Sequence, residues 1–137
     1  NDSNLYNPKN LLWSNAWITT EKIIKLINND VLKNDKKFIL VSLTNPIQVN
    51  PEPDKLIDFK KKNNILDIFY PEMRLEEFSR INSINYIQLA KKMRKIALDE
   101  KVYFHGFNNT RLGTGHWNKK GHETASKLIS NEICKLY

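Results

Sequence analysis

The chain has 137 residues, of which 40% are hydrophobic, and its formal net charge is +7. This length suits a single domain with its own core, and the apolar content argues against disorder. No run of 18 apolar residues is present, so we expect no membrane span. Lysine outnumbers arginine 18 to 4, and its densest run, residues 60–62, has no interleaved aromatics. We therefore expect no nucleic-acid partner.

The first half of the chain alternates helix and strand signals. Apolar residues on one face predict an amphipathic helix over residues 15–34, with Trp17, Ile24, Ile27 and Val31 turned inward. The unbroken apolar run 38–43 predicts a strand buried on both faces, as in a parallel sheet covered by helices. Three prolines then predict a loop over residues 47–54. This loop leaves the carboxyl end of the strand, where α/β folds place their sites.

The middle of the chain is less regular. Residues 55–70 fit no single period and predict a partly helical excursion. Pro71 suits the first position of a helix. A short strand over residues 84–87 follows, and then a helix with Leu89, Met93 and either Ile96 or Ala97 on its inner face. Residues 102–104 are a candidate for one more short strand.

The last helix is predicted from an amphipathic pattern that runs to the C-terminus. Its apolar side includes Ala125, Leu128 and Ile129. The only cysteine, Cys134, excludes an intramolecular disulfide and is predicted to be a small core residue on that side. The element order predicts an α/β fold, a partial three-layer sandwich with a short parallel sheet flanked by helices. Because strands are few, we expect residues 1–137 to be a single domain that forms the C-terminal part of a larger one.

One loop concentrates the residues suited to chemistry. All three histidines and all four glycines lie between His105 and His122. Histidine titrates near neutral pH, so His116, delivered by flexible glycines to the start of the last helix, is a candidate general base. The alternative is a loop histidine bonded to the backbone. The histidine spacing matches no compact ligand motif, so we expect no metal, and no motif predicts a cofactor.

Residues 116–122, His-Trp-Asn-Lys-Lys-Gly-His after a Gly-Thr-Gly turn, resemble the last conserved block of the SGNH hydrolases, the GDSL-like esterases. The resemblance implies a flavodoxin-like fold, His116 as catalytic base, and Asn118 at the start of the C-terminal helix. Asn1-Asp2 resembles the family's third block, which implies that Asn1 donates to an oxyanion hole. The implied substrate is a small-molecule or carbohydrate ester, including O-acetyl groups.

The chain departs from the family pattern in two ways. The family's serine lies in a Gly-Asp-Ser block before the Asn-Asp block, so we expect the nucleophile to lie upstream of Asn1. The aspartate that orients the family's histidine corresponds here to Thr114 and Gly113. The Thr114 hydroxyl or a backbone carbonyl could fix the histidine tautomer, but neither supplies a negative charge. The alternative function is therefore a non-catalytic SGNH-like binding or accessory domain.

Four further residues have predicted structural roles. Asn118 is expected to cap the last helix and so steady His116, whereas His122 is expected to be a packed or capping side chain. Gly121 predicts close packing against another backbone. Ser42 lacks the flanking glycines of a nucleophile elbow and is expected to hydrogen-bond locally. Finally, a sheet with few strands leaves an edge that favours pairing with a second copy of the chain.

Overall fold

The computed structural model describes Tyr6 and residues 8–136. In these residues five helices and two strands follow in the order α1 (Leu11–Lys33), β1 (Ile39–Ser42), α2 (Pro53–Asn63), α3 (Tyr70–Ile81), β2 (Asn85–Gln88), α4 (Ala90–Glu100) and α5 (Lys119–Leu136). The strands are parallel and pair Ile39 with Asn85 and Ser42 with Gln88. A parallel pair of this kind needs a crossover, which α2 and α3 provide. The predicted α/β class is confirmed.

The first helix starts earlier than predicted because it is capped. The Asn10 side chain accepts a hydrogen bond from the Trp13 amide at 3.0 Å, which satisfies a free donor of the first turn. The predicted inner face is only partly correct. Ile27 is exposed, and the buried residue of α1 is Asn28.

The strand β1 is not buried on both faces as predicted, since all four of its residues are partly exposed. In the part of the chain that the structure describes, β1 pairs only with β2, so fewer neighbours cover it. The run 102–104 is not a strand. The carbonyls of Tyr103 and Phe104 instead accept hydrogen bonds from the side chain and backbone of Asn118, at 2.8 and 2.9 Å. These carbonyls therefore anchor the start of α5.

The main core lies between the sheet, α4 and α5. Its buried members are Val49, Ile87, Leu89, Met93, Ala97, Phe104 and Ala125. Of the two residues predicted as alternatives for the inner face of α4, Ala97 is fully buried and Ile96 is only partly buried. A smaller cluster of Tyr6, Ile65 and Ile68 lies under the loop before α3.

The start of α5 packs closely on the backbone before it. A Cβ added to Gly121 would lie 2.4 Å from the Phe104 carbonyl oxygen, which confirms the predicted close approach. The far end of the helix leaves the core, with Ile133 and Leu136 exposed. The prediction of a core position for Cys134 is wrong for this reason, and its thiol is exposed.

Residues with a left-handed backbone conformation lie either just after helices or in the loop before α5. Four non-glycine residues with φ near +50° follow helices α1 to α4, namely Asp35, Asn64, Ser83 and Lys101. Three glycines, Gly106, Gly113 and Gly115, adopt positive φ in the loop before α5. A loop with three such residues turns sharply at each of them, which lets it fold back on itself.

Candidate functional site

A cavity of about 610 Å³ opens beside the carboxyl end of β1. Its walls are the segment 43–46 that follows β1, the side chain of His105, the segment 115–117 and His122 on α5. This is the edge of the sheet at which the sequence predicted a site. All three histidines of the chain meet there.

The loop before α5 forms its own small hydrogen-bonded frame. His105 and Trp117 pair across it in an antiparallel bridge. The Gly106 amide donates to the His116 carbonyl at 3.0 Å, and the Gly113 amide donates to the His105 carbonyl at 2.9 Å. The backbone immediately before and after His116 is therefore held in place by these bonds.

The His116 side chain itself is exposed on the cavity wall. Among Tyr6 and residues 8–136, no side chain or carbonyl makes a hydrogen bond to its ring. A histidine whose backbone is fixed and whose ring nitrogens are open to a cavity can exchange a proton with a bound molecule.

The two predicted supporting residues differ in their roles. The Asn118 side chain accepts from the Gly121 amide at 2.9 Å and donates to the Tyr103 carbonyl at 2.8 Å, so the predicted cap is present. The Thr114 hydroxyl donates to the Arg111 carbonyl at 2.6 Å, outside the cavity wall. Thr114 therefore shapes its own turn and does not orient the His116 ring. Asn1, the predicted oxyanion donor, lies outside the described residues.

His105 is the site residue that the sequence reasoning missed. It is buried, with its Nε2 3.0 Å from the Thr44 hydroxyl and its Nδ1 2.8 Å from the Gly115 carbonyl oxygen. The Trp117 indole donates to the same Thr44 hydroxyl at 2.7 Å. The signal was available, because His105 directly follows the apolar run 102–104 and is thus placed to be buried.

Burial lowers the pKa of His105 below its usual value of 6.5. The bond to the Gly115 carbonyl opposes this shift, and the nearby His116 adds to it. His105 is therefore neutral at pH 7.

A second set of buried polar side chains is bonded to Asn45, which lines the cavity. The Gln48 amide donates to both carboxylate oxygens of Glu72, at 2.9 and 3.0 Å, and its own oxygen accepts from the Asn45 amide at 2.8 Å. Arg94 donates to the Gln48 carbonyl at 3.0 Å. Burial raises the pKa of Glu72. This network fixes the turn at Asn45, and the sequence reasoning did not identify it.

Ser42 is bonded locally, as predicted. Its hydroxyl lies 2.7 Å from the Tyr86 hydroxyl on the neighbouring strand and is not part of the cavity wall. Burial raises the pKa of Tyr86 to about 12. A phenol with this pKa stays protonated at pH 7 and cannot take the proton of Ser42.

His122 packs against Trp117, with the two rings edge to face and their centres 5.5 Å apart. Within the described ranges, no group of three His, Cys, Asp or Glu residues is arranged to hold a metal ion. In the same ranges, no helix has the length and apolar character needed to cross a bilayer.

No family model, curated protein or solved structure matches this chain.

Proposed function

We propose that the chain is the C-terminal portion of an SGNH-like ester hydrolase in which His116 is the general base. The observation that carries this proposal is the placement of His116, whose backbone is fixed by the Gly106 amide and whose ring faces a cavity beside the carboxyl end of β1. The resemblance of residues 116–122 to the family's last block supports the same role.

In the proposed reaction, the attacking serine comes from a block N-terminal to Asn1 in the full-length protein. His116 takes the serine hydroxyl proton while the oxygen attacks the ester carbonyl, and the carbonyl electron pair moves onto its oxygen. When the carbonyl re-forms, the alkoxide leaves and receives the proton from His116. Water, deprotonated by the same ring, then attacks the acyl carbonyl. The bond to the serine oxygen breaks, the acid leaves, and the serine oxygen takes the proton back from His116. The proposed substrates are small-molecule or carbohydrate esters, by analogy with the family alone.

The test compares two histidine variants of the full-length protein with a chromogenic acetate ester. We expect His116→Ala to lower kcat by about 10³-fold, because general-base catalysis contributes about 10² to 10⁴. His122→Ala removes a ring from the same cavity and should change kcat only a few-fold. Activity of His116→Ala within a few-fold of wild type would refute the assignment. Equal losses in both variants would also count against it, because His116 would then not differ from another ring of the same cavity.

The second candidate function is a non-catalytic SGNH-like binding or accessory domain. It is favoured by the lack of a carboxylate on the described cavity wall, since an imidazolium formed during catalysis would have no negative partner there. The sequence upstream of Asn1 separates the two candidates, because only an enzyme needs a strand followed by a Gly-Asp-Ser block there.

The 137-residue chain by itself should not react with a fluorophosphonate probe, since Ser42 is paired with a protonated phenol. Labelling that disappears in Ser42→Ala would instead make Ser42 the nucleophile. Labelling that persists in Ser42→Ala would point to another serine of this chain and would equally contradict the proposal.

We also propose that the chain self-associates through β1. In the described residues this strand pairs only with β2, and a strand edge without a partner tends to pair with another chain. The net charge of +7 opposes association at low salt, and added salt screens it. Light scattering should show dimers or larger species that increase with ionic strength, and a strict monomer at both low and high salt would refute this proposal.

A further inference from the structure

Three polar side chains of the cavity wall are bonded inside the protein. The Thr44 hydroxyl lies 3.0 Å from the His105 Nε2 and accepts from the Trp117 indole at 2.7 Å. The other ring nitrogen of His105 lies 2.8 Å from the Gly115 carbonyl oxygen. Each side-chain nitrogen and oxygen of Thr44, His105 and Trp117 therefore already has a partner.

Asn45 lies on the same wall and keeps one polar group free. Its backbone N–H donates to the Gln48 side chain at 2.8 Å, and its carbonyl accepts from the Gln48 backbone N–H at 3.0 Å. Its side-chain oxygen accepts from the Ile47 backbone N–H at 3.2 Å. An N–H can bond only to the oxygen of a side-chain amide, so the orientation of the Asn45 amide is fixed. In the part of the chain that the structure describes, the Asn45 Nδ2 has no hydrogen-bond partner.

Buried side chains hold the turn that carries Asn45. Gln48 is 2% exposed, and its Nε2 donates to the Ile68 carbonyl at 2.9 Å as well as to the Glu72 carboxylate. Arg94 bonds to the Gln48 carbonyl at 3.0 Å. A buried polar network whose members all have partners is rigid. A donor on this turn is therefore already in position before a molecule binds.

The free polar side-chain groups of the wall are the Asn45 Nδ2 and the rings of His116 and His122. Among the described residues of this wall, none is Asp, Glu, Lys or Arg. Because Nδ2 only donates, the group that it binds must be an acceptor. A wall without charged residues, with one amide donor and open imidazole rings, suits the carbonyl oxygen of an ester.

We infer that Asn45 is a catalytic residue whose Nδ2 donates to the acyl oxygen of the bound ester. When the serine attacks, the carbonyl electron pair moves onto this oxygen, and the bond from Nδ2 strengthens as the oxygen becomes negative. The electron pair returns when the carbonyl re-forms, and Asn45 keeps its protons throughout. The inference rests on the proposed ester hydrolase. It adds a donor from the segment after β1 to the one that the family resemblance implies at Asn1.

The first test measures the full-length protein with a chromogenic acetate ester. Asn45→Asp keeps the oxygen that bonds to Ile47 but replaces the donor by an acceptor. We expect kcat to fall about 10²-fold, as for the loss of one oxyanion donor. KM should change only a few-fold, because the bond is strongest in the transition state.

The matched control is Asn50→Asp. The Asn50 side-chain oxygen accepts from the Glu52 backbone N–H at 2.9 Å in the same kind of turn, but Asn50 lies outside this cavity wall. Its kcat should stay within a few-fold of wild type. A wild-type kcat for Asn45→Asp, or equal losses in the two variants, would overturn the inference.

Asn45→Ala separates the lost donor from the new negative charge of the aspartate. Alanine has neither, so kcat should fall at least as far as in Asn45→Asp. A kcat near wild type in the alanine variant would show that the charge, and not the lost donor, impaired Asn45→Asp. That result would also overturn the inference.

The second test involves no catalysis. Acetate has the oxygens of the acid that an acetyl ester releases, and it is titrated into the 137-residue chain at constant ionic strength and followed by NMR. We expect the Asn45 side-chain N–H signals to shift and saturate. Binding followed at the His116 ring should be lost in Asn45→Asp and kept in Asn50→Asp.

The absence of a saturating shift at Asn45, or equal acetate binding in the two variants, would overturn the inference. The two proposals can fail separately. If the wild-type full-length protein cleaved no ester while acetate bound at Asn45, the esterase proposal would fail and the donor site would stand. If His116 proved to be the base while Asn45→Asp stayed fully active, only the role of Asn45 would fail.

Discussion

The two longest helices, α5 and α1, share an amphipathic pattern but pack very differently. In α5 the first turns bury Gly121, Thr124 and Ala125 against the core. In α1 only Asn28 is buried, and Leu12 and Leu26 are 75% and 67% exposed. The same period in the sequence thus predicts a helix in both cases, but it does not predict how closely the helix approaches its neighbours. That depends on side-chain size at single positions, and Gly121 is the clearest case.

The largest effect is expected from Gly121→Ala. Helix propensity alone would favour alanine by about 0.5–1 kcal/mol. The added methyl group, however, would lie 2.4 Å from the Phe104 carbonyl oxygen. Overpacking of this kind costs about 1–3 kcal/mol, and the upper end applies because the neighbour is a backbone oxygen that cannot move aside as a flexible side chain would. After the propensity gain is subtracted, we expect a net loss of about 2 kcal/mol in the free energy of unfolding by urea. The control is Ser130→Ala, at an exposed position of the same helix. A more stable Gly121→Ala would show that α5 is not closely packed.

A smaller loss is expected from Asn118→Ala, which removes both the cap on Gly121 and the bond to the Tyr103 carbonyl. Lost caps cost about 1 kcal/mol, so we expect a decrease of about 1–2 kcal/mol in the free energy of unfolding. Asn118→Ser keeps an oxygen for the cap but not the amide donor, and should fall between alanine and wild type. If alanine and serine were equally destabilising, the cap would not be the stabilising contact.

The smallest effect is expected on α1. Leu26→Ala removes a side chain that is already in water and should change the free energy of unfolding by about 0.5 kcal/mol or less. Ile24→Ala, on the partly buried face of the same helix, should cost more. Urea unfolding at two protein concentrations checks both. A large loss for Leu26→Ala would mean that another surface covers α1.

The pH dependence of stability tests the same difference between α5 and α1, because the buried His105 is bonded to Gly115 in the loop before α5. The pKa of His105 is lowered on folding. Below the usual pKa of 6.5, the unfolded chain therefore takes up a proton that the folded chain does not, and stability decreases as the pH falls toward the lowered pKa. Above 6.5 the ring is neutral in both states and contributes no pH dependence.

Local patterns predicted α1, α3, α4 and α5, the α/β class, the cap at Asn118 and the tight contact at Gly121, but α2 only as a partly helical segment. They also indicated the carboxyl end of β1, beside which the candidate cavity lies. They failed where long-range packing decided the outcome. The Tyr103 and Phe104 carbonyls bond to Asn118, so the predicted third strand does not form. His105 was missed because its partners Thr44 and Gly115 come from separate parts of the chain. The buried pair Gln48 and Glu72, 24 residues apart, was missed for the same reason.

The left-handed residues after the first four helices have a consequence for engineering. Non-glycine residues in this conformation carry backbone strain of about 1 kcal/mol each, least for asparagine and aspartate. At Ser83 and Lys101 that strain lies in the supporting framework, whereas the loop that carries His116 meets its sharp turns with glycine. Removing the strain at Ser83 and Lys101 would therefore raise the free energy of unfolding without altering the loop. The added stability would offset the cost of more disruptive substitutions around the cavity.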